Sequence, residues 1–275
     1  MVEECLWKTQ PKLFNKRKIM SKKLKITTKD NTALIIINNP PANTWDLESL
    51  GYLRETIDKL NKNKDIYSLV ITGEGEKFFS AGADLKVFHE GGKTAAADMS
   101  DAFASAFQAL SNFRGFSIAA INGYAMGGGL ECALACDIRI AEEQAQLALP
   151  EPKVGLLPCG GGTHQLPRLV GEGWAKKMIL GGEQVSANKA LSIGLVEEVV
   201  ESGVSLDRAV ELATQANKQS PISVAACKKL IHAARTSTDS YGYERDPFVD
   251  LFDSKDQAEG VAAFIEKRSP KWKNA

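Results

Sequence analysis

The fold of this chain is decided by the stretch Asn122-Gly123-Tyr124-Ala125-Met126-Gly127-Gly128-Gly129-Leu130-Glu131. An apolar run that ends at Ile121 predicts a buried strand before it, and the residues after the glycines predict a helix that continues to Cys136. Glycines at the start of a helix can leave backbone N–H groups directed at a ligand oxygen, with the positive end of the helix dipole behind them. No Gly-Lys-Ser/Thr follows the glycines and no Gly-x-Gly-x-x-Gly follows a strand, which excludes a P-loop and a dinucleotide fingerprint. The stretch instead suits a developing oxyanion.

Toward the N-terminus of this stretch, strand patterns and helix patterns alternate. Strands are predicted over 33–37, 67–72 and 117–121, with one helix between each pair of strands. The first helix begins at Asp46, and its apolar face carries Leu50, Leu53, Ile57 and Leu60. The second helix carries the apolar residues Phe103, Phe107 and Leu110 on one face. Such alternation implies parallel strands joined by crossover helices. The sequence therefore predicts an α/β fold.

Toward the C-terminus the pattern becomes helical. Short strands are predicted over 138–141 and 147–149, and helices over 174–180, 186–192, 205–218, 221–234 and 254–267. Ser220 followed by Pro221 is typical of a helix N-cap and first helical position, and Gly194 fits the position after a helix. We therefore predict a disordered basic leader over 1–23, an α/β core over 24–200 and a helical region over 201–275.

The composition gives no global reason for binding to nucleic acid or to an anionic membrane. Lys+Arg and Asp+Glu balance at 34 each over 275 residues, and no apolar run is long enough to cross a bilayer. The five cysteines are odd in number and scattered, which argues against a disulfide framework and for a reducing compartment. We expect a cytoplasmic protein, although the eight basic residues among the first 25 leave an organellar matrix open.

Two further segments place polar groups beside glycines. The first is Phe79-Ser80-Ala81-Gly82-Ala83-Asp84-Leu85-Lys86, and the second is Leu149-Pro150-Glu151 followed by residues 155–163. By spacing alone, Glu131 fits a carboxylate that complements the dipole of its helix, and Glu151 fits a solvated loop residue. Cys132 and Cys136 share a helical face, but two ligands without a nearby histidine do not make a zinc site, so no metal is expected.

Taken together, the three segments resemble the crotonase, or enoyl-CoA hydratase/isomerase, superfamily over residues 24–273. Further matches are Cys136-Asp137-Ile138-Arg139, Gly161-Gly162-Thr163, the segment 181–196 and the ending 264–268. The resemblance implies a ββα spiral core with a helical C-terminal trimerisation region, assembled as a homotrimer or hexamer. It also implies that the backbone N–H groups of Ala83 and Gly128 hold the thioester oxygen of an acyl-CoA.

The same resemblance indicates which reaction is catalysed. Hydratases of this superfamily carry one glutamate just after the three glycines and another after the proline of the following segment, where this chain has Glu131 and Glu151. Two carboxylates around one water can orient it for attack at Cβ and exchange protons with it. We therefore expect an enoyl-CoA hydratase that acts on trans-2-enoyl-CoA in fatty-acid or related acyl-CoA degradation, with CoA as part of the substrate and no separate cofactor.

Three alternatives remain open from the sequence. An enoyl-CoA isomerase often keeps only the later carboxylate, so Glu131 argues against it, whereas another crotonase-type acyl-CoA lyase would use both glutamates. A non-enzymatic acyl-CoA-binding or RNA-binding relative is the third alternative. The balanced charge argues against RNA.

The resemblance also suggests residues around the substrate. Candidates for CoA binding are Ser80, Ala81, Asp84, Lys86 and Lys267, and candidates for the acyl pocket are Trp45, Phe88 and Cys159. The segment 85–99, which contains Gly91-Gly92, is expected to be a mobile loop that shapes this pocket. Cys159 replaces a glycine of the family pattern and should put a side chain close to Glu151. His164 replaces a residue without a catalytic role and is expected to have a structural or surface role.

Overall fold

The structure is a computed structural model that describes residues 23–235, 246 and 248–275, with the side chains of residues 86–91 excepted. The predicted leader over 1–23 thus lies outside the described residues apart from Lys23. The strands are β1 (Leu24–Lys29), β2 (Thr32–Ile37), β3 (Ser68–Gly73), β4 (Phe78–Ser80), β5 (Phe116–Ile121), β6 (Tyr124–Met126), β7 (Ile138–Glu142), β8 (Gln146–Ala148), β9 (Val185–Ser186) and β10 (Glu198–Val200). The helices are α1 (Leu47–Lys62), α2 (Lys86–Ser111), α3 (Gly128–Leu134), α4 (Gly162–Ile179), α5 (Ala187–Ser192), α6 (Ser205–Ala216), α7 (Pro221–Ala233) and α8 (Lys255–Ile265).

Two sheets carry the fold. The larger sheet has the order β1-β2-β3-β5-β7-β10, in which β1 is antiparallel to β2 and the other neighbours are parallel. The smaller sheet has the order β4-β6-β8-β9. The chain passes from the larger sheet to the smaller sheet and then into a helix three times in succession, as β3-β4-α2, β5-β6-α3 and β7-β8-α4. The predicted α/β class and the ββα spiral are confirmed.

Local sequence explains why these elements form where they do. The parallel strand β3 is buried along its whole length, which accounts for its continuous apolar run. At the start of α1, the Asp46 carboxylate accepts a hydrogen bond from the Ser49 N–H, while the Ser49 hydroxyl oxygen accepts one from the Asp46 N–H. The four apolar residues predicted for the inner face of α1 are all buried. The predicted N-cap Ser220 also holds, because its hydroxyl accepts the Ser223 N–H.

The structure contradicts the loop predicted over 85–99, and it contains the helix predicted over 174–180 as part of a longer helix. The segment 85–99 is not a loop, since α2 begins at Lys86 and its helical backbone is interrupted at Gly92, where φ is +60°. The alanine-rich residues 95–97 outweigh the glycine pair as a local signal, because alanine has the highest helix propensity. Helix α4 begins at Gly162 rather than at Trp174 and is interrupted at Gly171, where φ is +76°. Glycine tolerates that conformation, so two helical segments join across the break.

The C-terminal helices rest directly on the core. Helix α6 packs on β3 and β5, and Lys228 of α7 donates hydrogen bonds to the Asp137 carboxylate at 2.8 Å and to the Gly115 carbonyl at 3.1 Å. Both charged side chains are mostly buried, at 11% and 17% exposure. Within the described residues no helix is both long and apolar enough to cross a membrane. The exact division at residue 200 stays a prediction.

Replacing Lys228 by Met should lower the free energy of unfolding by about 3 kcal/mol, because it leaves the Asp137 carboxylate in a largely buried place without its counter-ion. Urea unfolding measures the change. Lys229→Met, one residue further along α7 on an exposed side chain, is the matched control and should leave the unfolding midpoint almost unchanged. Equal midpoints for both variants would show that the Lys228–Asp137 pair does not anchor α7.

Candidate active site

The start of α3 directs a backbone N–H away from the helix. Gly127 caps this helix with φ +52°, and its own N–H donates to the Ala148 carbonyl at 2.9 Å. Gly128 is the first helical residue, so its N–H has no acceptor within the helix. A methyl group on Gly82, whose φ is +91°, would come within 3.1 Å of the Gly128 nitrogen. The turn after β4 therefore lies directly against this N–H.

The second backbone donor lies in that turn. Ala83 forms an isolated parallel bridge with Trp45. The Trp45 N–H donates to the Gly82 carbonyl at 2.8 Å and the Asp84 N–H donates to the Trp45 carbonyl at 3.0 Å. In a parallel bridge this pairing leaves the N–H of the middle residue, Ala83, outside the ladder. The structure thus brings the two predicted donors, Ala83 and Gly128, to neighbouring turns.

Glu131 is held by two backbone N–H groups from the start of α4. Its Oε1 atom accepts hydrogen bonds from Gly160 and Gly162, each at 2.8 Å, and the residue is 2% exposed. Burial raises the pKa of Glu131 to about 7, and the two N–H donors act in the opposite direction by stabilising the carboxylate. The carboxyl group is therefore fixed in place and poised to change its protonation near neutral pH.

Glu151 lies against Gly127, the residue that caps α3. It begins a 3-10 turn that ends at Val154, and a methyl group on Gly127 would lie 3.0 Å from its Oε1 atom. Its Oε2 atom is buried and has no hydrogen-bond partner among the described residues. Burial raises the pKa of Glu151 to about 7, and the negative charge of Glu131 contributes to the rise. The two predicted carboxyl groups thus interact electrostatically beside the start of α3.

Cys159 lies beside both carboxyl groups. The pKa of its thiol is raised to about 11, mainly by burial and to a smaller extent by the negative charges of Glu131 and Glu151. A hydrogen bond with Ser100 acts in the opposite direction. The thiol is therefore neutral at ordinary pH, and Ser100 ties it to α2. Its role in the acyl pocket stays a prediction.

Aromatic residues of α2 lie against the glycines on one side of the site. The sequence predicted these residues only as the apolar face of a helix. A methyl group on Gly128 would lie 2.6 Å from the Phe103 ring, and one on Gly160 would lie 2.7 Å from the Phe107 ring. Phe107 packs edge-on against Trp45 at 5.8 Å between ring centroids. Trp45 is fully buried behind Phe107, so its place at the acyl pocket stays a prediction. Spacing shows a helix face but does not show which glycines that face meets.

The candidates for CoA binding fall in different places. Ser80 is buried and its hydroxyl accepts the Gly82 N–H at 3.2 Å, and the Ala81 N–H donates to the Ala42 carbonyl at 2.9 Å. Both residues therefore shape the turn that presents Ala83. Asp84 is half-buried next to this turn, whereas Lys267 is exposed just after α8. The side chains of Lys86 and Phe88 lie outside the described ones.

Two remaining sequence expectations concern a histidine and metals. His164 is exposed in the first turn of α4. Among the described residues, no group of three or more His, Cys, Asp or Glu side chains is arranged to hold a metal ion.

Replacing Gly160 by Ala is expected to lower kcat on the order of 10²-fold, because the added methyl would lie 2.9 Å from the Glu131 Oε2 atom as well as against Phe107. Steady-state kinetics on an enoyl-CoA substrate, with circular dichroism for the fold, measures this. Gly173→Ala is the matched control, since a methyl there meets nothing within 4 Å. Unchanged kcat in the Gly160 variant would show that the N–H cradle of Glu131 tolerates displacement.

Known proteins are similar to this chain in sequence and in fold. The family model described as enoyl-CoA hydratase/isomerase matches residues 27–275. A carnitinyl-CoA dehydratase of Proteus mirabilis (strain HI4320) is 36% identical over 263 residues, which cover 92% of this chain and 99% of the relative. The solved structure of DspI from Pseudomonas aeruginosa is 60% identical with a TM-score of 0.90, over 92% of this chain and 97% of the other. That of an enoyl-CoA hydratase from Bacillus anthracis is 34% identical with a TM-score of 0.88, over 92% and 100%. The chain therefore belongs to the enoyl-CoA hydratase/isomerase family, the crotonases, and is a hydro-lyase of that family.

Proposed function

We propose that this enzyme adds water reversibly across the double bond of a trans-2-enoyl-CoA thioester and so forms a 3-hydroxyacyl-CoA. The observation that carries the proposal is the pair of desolvated carboxyl groups, Glu131 and Glu151, whose pKa values burial raises to about 7 in each case and which interact beside the start of α3. At neutral pH such a pair holds a proton and a negative charge between its members. It can therefore supply a base and an acid in the same step.

Each of the two carboxyl groups transfers one proton during the reaction. The ionised carboxyl removes a proton from water as the water oxygen forms a bond to Cβ, and the protonated carboxyl gives a proton to Cα. The Oε2 atom of Glu151 has no hydrogen-bond partner in the part of the chain that the structure describes, and this supports the arrangement, since a buried polar atom calls for a partner such as the reacting water. In the reverse direction the same pair removes water from the 3-hydroxyacyl thioester.

The backbone donors would stabilise the charge that develops during attack. Addition at Cβ moves electrons onto the thioester oxygen, and we assign the N–H groups of Ala83 and Gly128 to that oxygen. Preorganised donors of this kind are worth about 3 kcal/mol each in other enzymes. Phe103, packed against Gly128, keeps water away from this place and so strengthens the electrostatic effect.

The exposed apolar surface supports association of several copies, as a homotrimer or hexamer. Phe248, Phe252, Phe264 and Ile265 of the C-terminal region are each between 59% and 86% exposed. Such a concentration is unusual on a monomer and is typical of an interface. Sedimentation velocity measures the assembly, and a purely monomeric protein would contradict this part of the proposal.

The decisive experiment follows the enoyl absorbance of crotonyl-CoA and of longer 2-enoyl-CoA substrates with the purified protein. We expect loss of absorbance and formation of 3-hydroxyacyl-CoA, with a chain-length profile of kcat/KM that identifies the preferred acyl group. Incubation with 3-enoyl-CoA substrates tests the isomerase alternative. Failure to hydrate a 2-enoyl-CoA of any length would remove the hydratase proposal.

A further inference from the structure

A cleft remote from the two glutamates carries an unusual set of charges. It has a volume of about 450 Å³ and lies where the end of α3, the start of β7, the first half of α4 and the end of α7 meet. Helix α3 has seven residues, so the cleft lies about 10 Å along this helix from Gly128. The volume is in the range of small-molecule sites. Neither catalytic carboxyl group lines it.

Two charged residues of the cleft wall are already neutralised. Arg139 is buried and pairs with the Glu197 carboxylate, while its other N–H groups donate to the carbonyls of Leu195 and Cys136. Asp137 pairs with Lys228 at 2.8 Å. These contacts are structural, and they leave no net charge on this part of the wall.

Two further guanidinium groups remain. Arg168 of α4 and Arg235 after α7 both line the cleft, and no carboxylate of the described chain lies within 4 Å of either. Partial burial lowers the pKa of Arg235, and the positive charge of Arg168 lowers it further, so the two groups act on each other across the cleft. Arg235 and Lys228 also lower the pKa of His232, after burial. Among the described residues, the side chains that line the cleft therefore carry a net positive charge, which the Asp137 carboxylate does not cancel.

The rest of the wall defines what else a ligand must offer. Leu134, Leu169 and Ile231 give an apolar surface, and Ile231 is 66% exposed. Gln165 adds an amide that can donate and accept hydrogen bonds. Guanidinium groups bind phosphate and carboxylate groups through paired N–H donors.

We infer that this cleft is a binding site for a small organic anion, in which Arg168 and Arg235 hold a phosphate or carboxylate group and the leucine and isoleucine side chains contact an apolar body. The site is independent of the proposed hydration, because it shares no residue with the glutamate pair. Helix α3 joins the two places, because it begins at Gly128 and its last residue, Leu134, lines the cleft.

Isothermal titration calorimetry with two probes tests the site. Inorganic pyrophosphate represents the phosphate class, and benzoate represents a carboxylate on a flat apolar body. We expect at least one probe to bind, Arg168→Gln and Arg235→Gln each to weaken binding by about tenfold, and added salt to weaken it further. Arg54→Gln removes one positive charge from the exposed face of α1 and should leave the affinity unchanged. Glu131→Gln should also bind the probe normally, which separates this site from the active site.

The variants also distinguish the outcomes that contradict the proposal. Both arginines are exposed, so their substitution should leave circular dichroism unchanged. Binding of neither probe, or binding that both arginine variants retain, would overturn the proposal. The proposal would also be overturned if the parent protein binds neither probe and the two arginine variants lose their assembly in sedimentation velocity. That result would show that acidic side chains of a second copy fill the cleft.

Discussion

Replacing Glu131 by Gln is expected to lower kcat by on the order of 10³-fold while the protein stays folded. The amide has nearly the same volume, and its oxygen can still accept the N–H groups of Gly160 and Gly162 that hold the carboxylate at 2.8 Å. It cannot take or give the proton that hydration requires. Stopped-flow or steady-state turnover of crotonyl-CoA, with circular dichroism as a check on the fold, measures the effect.

The matched control is a buried glutamate outside the site. Glu142 accepts hydrogen bonds from the Ser205 hydroxyl at 2.7 Å and from the Ser205 N–H at 3.3 Å, and so caps α6. Glu142→Gln should change stability and leave kcat close to that of the parent. Near-normal turnover in Glu131→Gln would remove Glu131 from the reaction.

Glu151→Gln separates the hydratase proposal from its nearest alternative. Hydration by a carboxyl pair requires both groups, so we expect a loss of turnover comparable to that of Glu131→Gln. An enzyme that moves a double bond needs one group to remove and return a proton. Loss of activity in Glu151→Gln alone would therefore favour isomerisation.

Periodic patterns in the sequence predict the long elements of this fold well. The inner face of α1 and the alternation of strands and helices along the first half of the chain follow from spacing, because each of these elements is long enough to repeat its pattern. The strands β4 and β6 have three residues each, which is too few for a period, whereas β8 overlaps the strand predicted over 147–149. The smaller sheet exists because the chain crosses to it after β3, β5 and β7 of the larger sheet, and that is a tertiary property.

The site shows the same division between local and tertiary information. The three glycine-rich segments and both glutamates are visible in the sequence through resemblance to a family. The donors that hold Glu131 are not, because Gly160 and Gly162 stand 29 and 31 residues away in the chain. Likewise, Arg168 and Arg235 look like ordinary surface residues until α4 and α7 bring them to one cleft.

Stability is expected to fall as pH rises, as a direct consequence of the site. The ordinary pKa of a glutamate is 4.5, whereas burial raises that of Glu131 to about 7 in the folded protein. Between these values the folded state keeps a proton that the unfolded chain has released, so each increase in pH favours unfolding. The decrease in the free energy of unfolding begins near pH 4.5 and levels off above pH 7. For Glu131 it amounts to about 3 kcal/mol between pH 4 and pH 8.

Urea unfolding of the parent and of Glu131→Gln at several pH values measures this cost. The variant removes the group itself and also the negative charge that helps to raise the pKa of Glu151, so its stability should exceed that of the parent at pH 8 and match it more closely at pH 4. Glu172→Gln, on the exposed surface of α4, should leave the pH dependence of the parent unchanged between about pH 5 and pH 8, because the ion pair with Lys176 lowers the pKa of Glu172 from its ordinary value of 4.5. Parallel curves for the parent and Glu131→Gln would mean that the Glu131 carboxyl is not desolvated in the folded protein. Its ability to exchange a proton near neutral pH would then need a different physical cause. A variant that is more stable and almost inactive would show that the site is built at the expense of stability, because burial disfavours the charged form that the reaction needs.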